Sequence, residues 1–209
     1  MGAKGNTSPI RTAGYENLQL NAGMFLIGFD YTTYKTASAL KTALAAEVTS
    51  GEKLLGMTRG GGTFVVQSEL REPEVDGKRY GFVGGTFVDS VDARLTGTLI
   101  EITPANMAKI MATGDVEESS ESGAHKTTVT MHTQVQPEDY IQNLVWVGDI
   151  SDGSLVMIAL DNALNTNGLT LTFQDKNEGT MPFEFRAYQS NVTDYDVAPF
   201  KVIYLADAA

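Results

Sequence analysis

The chain has 209 residues, 42% of them hydrophobic, with 15 Lys and Arg against 26 Asp and Glu and a formal net charge of -11. That length suits one domain whose core needs no metal or disulfide staple, and the absence of cysteine removes thiol nucleophiles, thiolate metal sites and a disulfide framework. An acidic chain repels polyanions, which excludes nucleic-acid binding by phosphate neutralisation, and no apolar run approaches the roughly 18–20 residues of a membrane span.

Met1 to Gly14 carries Lys4 and Arg11 with no apolar stretch behind them, so it reads as a flexible arm rather than a secretory signal. Ala22 to Phe29 is a compact apolar run, a predicted buried strand. From Tyr31 to Val48 the period changes: Ala37, Leu40, Ala43 and Leu44 recur at helical spacing among good helix formers. A short amphipathic helix or a long helical loop over 31–55 is expected there, the helical part ending near Ser50-Gly51. Its narrow, Ala-rich side suits either the chain's own core, the default, or close contact with a neighbour.

Gly56 to Gly62 reads as a tight turn into an alternating run, Thr63 to Leu70. Phe64, Val66 and Ser68 share one face there; Thr63, Val65, Gln67 and Glu69 share the other. A charged bend follows, Arg71 to Gly77, then an ordered loop to Gly85 with Lys78, Arg79, Tyr80 and Phe82. In the second alternating run, Val91 to Ile102, an apolar face (Val91, Ala93, Leu95, Leu99) opposes Asp92, Arg94, Thr96 and Thr98. Gly97 leaves a gap on the apolar face, where another backbone is expected to approach. Thr103 is a predicted N-cap with Pro104 at the first helical position. Met107, Ile110 and Met111 form the expected buried side, and Gly114 the expected left-handed stop.

Asp115 to Ala124, rich in Glu and Ser, reads as a solvated acidic loop. Lys126 to Val135 alternates Val129, Met131 and Val135 against Thr128, Thr130 and His132. Asp152-Gly153 between the apolar runs Ile141–Asp149 and Leu155–Leu160 is a strong hairpin signal. Leu169, Leu171 and Phe173 alternate next, then Phe183, Phe185 and Ala187 against Glu184, Arg186 and Tyr188. Pro199 to Leu205 is a last strand. Recurrent short strands between turn signals predict a mainly β chain: an antiparallel two-sheet sandwich or barrel with one or two flanking helices, in a single domain over 1–209.

No residue pattern here carries catalysis, a cofactor or a metal. Arg59-Gly60-Gly61-Gly62 lacks the Lys-Ser/Thr of a phosphate-binding loop, and a turn into a strand explains it better. His125 and His132 do not have metal-ligand spacing and read as polar strand residues. Glu117 and Glu118 sit among serines, where a raised pKa is not expected. Trp146, Phe173, Phe183, Phe185, Phe200 and Tyr204 read as core, because a stacking platform for single strands needs basic residues between its rings.

The ordered landmarks Leu55 to Gly61, Arg71 to Gly77, Leu95 to Thr103, Tyr140 to Leu144, Ala159 to Ala163 and Pro199 to Val202 resemble the major tail (tail tube) protein of long-tailed bacteriophages. The likeness covers Leu18 to Tyr204 and rests on order and spacing, since no motif is diagnostic alone. It implies a β-sandwich with a flanking helix and hexameric rings stacked into a tube. Genomic DNA would pass through that tube without specific binding, and no enzyme activity, cofactor or membrane would be involved. The virion is then the implied location, after synthesis in the bacterial cytoplasm, and other tail proteins (tape measure, terminator, baseplate or tip) are implied partners. Ring closure would hide sheet edges, and a hexamer would carry roughly -66, a wall that DNA slides past.

Under that resemblance Met1 to Leu20 and Tyr31 to Leu55 are expected to contact neighbouring copies, with the Gly77–Asp89 and 115–124 loops as weaker candidates. Tyr31, Tyr34, Leu40, Leu44, Arg59 and Arg79 are the named contact candidates. Glu69, Asp92 and Glu101 are the lumen candidates, and Arg94 marks that such a wall is not purely acidic. Two alternatives stay open: a tail terminator or secretion-tube relative, and a monomeric β-sandwich binding or adhesion module with exposed aromatic residues.

Overall fold

The computed structural model describes residues 12–121, 124–190 and 196–207. Its elements in chain order are β1 (Met24–Leu26), α1 (Ala37–Ser50), β2 (Thr58–Arg71), β3 (Phe87–Leu99), α2 (Pro104–Ile110), β4 (Gly114–Glu121) and β5 (Ala124–Met131). They continue with β6 (Ile141–Asp149), β7 (Leu155–Asn165), β8 (Thr172–Gln174), β9 (Asn177–Tyr188) and β10 (Phe200–Leu205). One antiparallel sheet runs in the order β1-β6-β7-β9-β3-β2, with β10 also on β7 and β8 on β9; β4 and β5 pair separately. The sheet is open rather than a closed barrel, because β1 and β2 end it without meeting.

β7 joins two limbs of this sheet. Leu155 to Leu160 pair with β10, whereas Asn162 to Asn165 pair with β9. Side-chain alternation breaks at the same step: Ile141 and Leu144, three residues apart, both enter one core cluster, as do their partners Ala163 and Leu160. Asn143 accommodates the break with φ 48, a left-handed conformation that Asn tolerates. The limbs then face each other. Phe25 of β1 packs edge-on to Phe183 of β9 at 5.2 Å, and Phe64 of β2 meets Phe200 of β10 at 5.7 Å.

Between the limbs lie Leu95, Leu99, Ile110, Leu144, Leu160, Met181 and Phe185, all buried. A second cluster sits on the outer face of β6 and β7, where Val145, Val147, Leu155 and Met157 meet Leu40 and Leu44 of α1. With both faces covered, β7 is buried along most of its length, which is why its sequence runs apolar instead of alternating. Thr36 caps α1 by accepting from Ala39 N–H, and Gly51 ends it at φ 72.

Several expectations change. The Gly56–Gly62 turn is mostly strand: β2 begins at Thr58, and Gly60 and Gly61, at φ 78 and 73, carry an irregularity in its register. The Ala22–Phe29 strand shortens to three residues. Gly97 does receive a close neighbour, but it is the Phe183 ring: a Cβ there would lie 2.5 Å from Cζ. Gly114 does not stop α2; Ala112 takes the left-handed turn at φ 68, and Gly114 opens β4 flat against Ala108. Of the expected buried side of α2 only Ile110 is fully buried, joined by Asn106 and Ala108, while Met107 and Met111 are half-exposed.

The stretch expected as an acidic loop is strand over its described residues, 115–121 and 124. Among the described residues β4 pairs with β5 from Gly114↔Met131 to Glu121↔Ala124. Glu117 and Glu118 face Thr128 and Thr127 across the hairpin, so like charges are not opposed. Phe173 and Tyr204, expected in the core, are 77% and 69% exposed. Phe173 stands on β8, exposed at all three of its residues, and Tyr204 on β10 between half-buried Ile203 and buried Leu205. Residues 1–11 of the expected arm lie outside the described residues. Its remainder docks on the β6–β7 turn, where Leu18 N–H donates to Ser151 Oγ and Leu20 N–H to Asp149 O.

Candidate assembly surface

Among the described residues β2 is the longest edge strand. It has 14 residues and pairs only with β3 among the described residues, so backbone groups along its other side lack partners. The opposite edge is different. β1 is covered by residues 53–55: Ile27 N–H donates to Lys53 O and Leu55 N–H to Phe25 O. An uncovered edge of such length templates pairing with another chain unless charge, proline or a covering segment blunts it.

Here the edge is blunted only in part: Arg59, Glu69 and Arg71 are exposed and two register irregularities interrupt it, but apolar side chains stand between them. Val65, Val66 and Leu70 on β2 and Phe87, Val88 and Val91 on β3 are all exposed. They occupy both faces of the hairpin's outer half, over which the described residues form no second layer, although Asp196–Pro199 line a cleft beside Val88–Val91. The linking loop adds Val75, Tyr80, Phe82 and Val83. Scattered exposed apolar residues are ordinary, whereas these gather on one hairpin and its linking loop beside an open edge.

The outward face of β2, β3 and β9 is polar. Register places Gln67 opposite Asp92, Glu69 opposite Ser90, and Arg94 opposite Arg186. Arg94 donates to Asp92 Oδ2 (Nε, 2.7 Å) and to Glu184 Oε1 (Nη1, 2.7 Å). Arg186 Nε lies 2.8 Å from Asp92 Oδ1, an ion-pair contact. The Arg94 hydrogen bond, with the charges of Arg186 and Arg94, holds the Asp92 carboxyl below its ordinary range. Lumen candidates Glu69 and Asp92 therefore share one face. Glu101 does not join them: it follows β3 and accepts Met57 N–H at 3.1 Å.

The contact candidates divide. Leu40 (0% exposed), Leu44 (6%) and Tyr31 (4%) belong to the chain's own second cluster, leaving no apolar surface for a neighbour. The helix spacing that singled out Leu40 and Leu44 is the spacing of a core stripe. Tyr31 Oη donates to Asp161 at 2.8 Å and accepts from Lys201 at 2.7 Å. Tyr34 stacks on Phe29 at 5.4 Å and is half-exposed. Arg59 is ion-paired with Glu178 at the start of β9. Arg79 alone is exposed and without an ion-pair partner among the described residues, next to Tyr80 in the β2–β3 loop.

Sequence reading missed Glu184 as a partner of Arg94 and Arg186 as a partner of Asp92, although the alternation around Phe183 and Phe185 had put them on a polar face. It also missed the exposure of Val66 and Val91, since strand period shows which residues share a face but not whether anything covers it. Among the described residues, no group of three or more His, Cys, Asp and Glu side chains could hold a metal ion. Compared with known proteins, the chain matches no family model and no curated sequence.

Proposed function

We propose that this chain is a structural subunit that associates with its own copies through the β2 edge, closing into hexameric rings that stack as the tail tube of a long-tailed bacteriophage. The observation that carries the reading is the open, apolar edge of β2 with its exposed hairpin and loop. A monomer with this edge would aggregate without order, whereas a repeated head-to-tail contact that closes removes it. In this reading the Glu69–Asp92 face of the same limb turns to the lumen. Its arginines are internally paired, so passing DNA meets no free cation there. Tape measure, terminator and baseplate or tip proteins are the proposed partners at the ends, and the subunit performs no catalysis.

The test is sedimentation of the wild type beside the double variant Val66→Lys/Leu70→Lys. Both side chains are exposed, so the monomer should fold normally, within about 0.5 kcal/mol. Wild-type protein should form large species and the variant should stay monomeric. A wild type that remains monomeric at every concentration would sink the proposal.

A further inference from the structure

A cleft of about 780 Å³ opens where β6, β7 and β9 meet, at the corner where β7 passes between limbs. Its volume is in the range of small-molecule sites. The lining is polar but nearly uncharged, with the amides of Gln142, Asn143 and Asn162, the rings of Tyr140 and Tyr188, and the Asp161 carboxylate.

Several of these groups are held in place. Asn162 Nδ2 donates to Tyr188 O at 3.2 Å and to Ser190 Oγ at 2.8 Å, which turns its Oδ1 into a fixed acceptor. Tyr140 and Tyr188 pack edge to face at 5.2 Å and 76°, and the Arg186 guanidinium sits 5.7 Å from the Tyr188 ring. Asp161 is fixed by Tyr31 Oη and Lys201. The left-handed backbone of Asn143 sets its position, and neither its amide nor that of Gln142 has a hydrogen-bond partner among the described residues.

The chemistry selects a ligand class. An anion finds no Lys or Arg in the lining, since Lys201 is already paired with Asp161, and the rim residue Pro137 is followed by the acidic Glu138 and Asp139. A cation gains little, because Lys201 already neutralises Asp161. An apolar ligand would strip water from the amides without replacing its hydrogen bonds. A sugar does what these groups require: its hydroxyls donate and accept together, and its C–H face can lie on a tyrosine ring. We propose that this cleft binds a neutral saccharide. The site is independent of the β2 edge, and its occupancy does not require assembly.

Saturation-transfer difference NMR tests this on the intact protein with lactose, maltose and cellobiose as probes and N-acetylneuraminic acid as the anionic control. The method works for monomers and for large assemblies. At least one neutral disaccharide should give a difference signal concentrated on its ring C–H protons, and the acid should give none. Gln142→Ala removes an exposed amide, and Asn143→Gly removes another while keeping a residue suited to the left-handed backbone. Each should weaken binding roughly fivefold or more, as expected for a lost hydrogen bond. No signal from any of the three sugars at millimolar concentration overturns the proposal. So do signals that both variants leave unchanged, or binding of the acid as strong as that of the neutral sugars.

Discussion

His132 is gripped at both ring nitrogens. Nδ1 lies 3.0 Å from Asp115 Oδ2 on β4, and Nε2 lies 3.0 Å from Asp139 Oδ2 in the turn before β6. Two carboxylates want two N–H donors, so hydrogen bonds to Asp115 and Asp139 raise the imidazole pKa above its ordinary value. A raised folded pKa contributes stability that is complete below the ordinary histidine value, about 6.5, and is lost as pH climbs through the folded value. The melting advantage of wild type over His132→Gln should therefore be level just below about pH 6.5 and shrink toward pH 9. An advantage that stays constant across that range would remove the clamp. Gly97 invites a second substitution. Its Ala variant would push Cβ into the Phe183 ring, which itself packs on Phe25 and Phe185, so urea unfolding should show a loss of about 1–3 kcal/mol. Both sites were half-legible. The chain shows a histidine on a polar face and a gap in an apolar one, but the partners sit 17 and 86 residues away in sequence (115 to 132, 97 to 183) and come together only through the fold.

Among the elements, α1 was read from its apolar spacing and its terminal glycine, which agree with one another, although its start at Ala37 and its Thr36 cap were not. Leu40 is its largest fully buried side chain, so Leu40→Ala should cost about 2–5 kcal/mol in a denaturant titration. Thr36→Ala should cost about 1 kcal/mol through the lost cap. Equal effects from the two would contradict the helix's placement over β6 and β7. The same positions explain why Leu40 and Leu44 were open to two readings: an apolar stripe looks alike whether its cover is another layer of the same chain or another copy. β4 was illegible for a different reason. Glu, Ser and Asp are poor strand formers by composition, and strand preference depends on what lies across the ladder, here the Thr-rich β5. β7 hides the corner of the sandwich, since a strand buried on both faces has no alternation to break visibly.

For the whole molecule, a mainly β, antiparallel chain with two helices was readable from turn signals and alternation. The two facing layers were readable too, but that one continuous sheet makes both was not, because that depends on the step at Asn143, where pattern carries no mark. The proposed tube rests on what the fold leaves open: an edge, an apolar hairpin, and a polar face whose charges pair among themselves. Association through such an edge is hydrophobic and backbone-driven. It should strengthen in sulfate and survive about 0.5 M NaCl, which screens exposed charges beyond roughly 4–5 Å; dispersal by that salt in sedimentation would point to a charge-driven contact instead. The most direct measurement is electron microscopy of the purified protein, concentrated and aged, with light scattering for mass. The account predicts hollow rings and tubes of uniform width. A particle that stays monomeric at every concentration and age would contradict it.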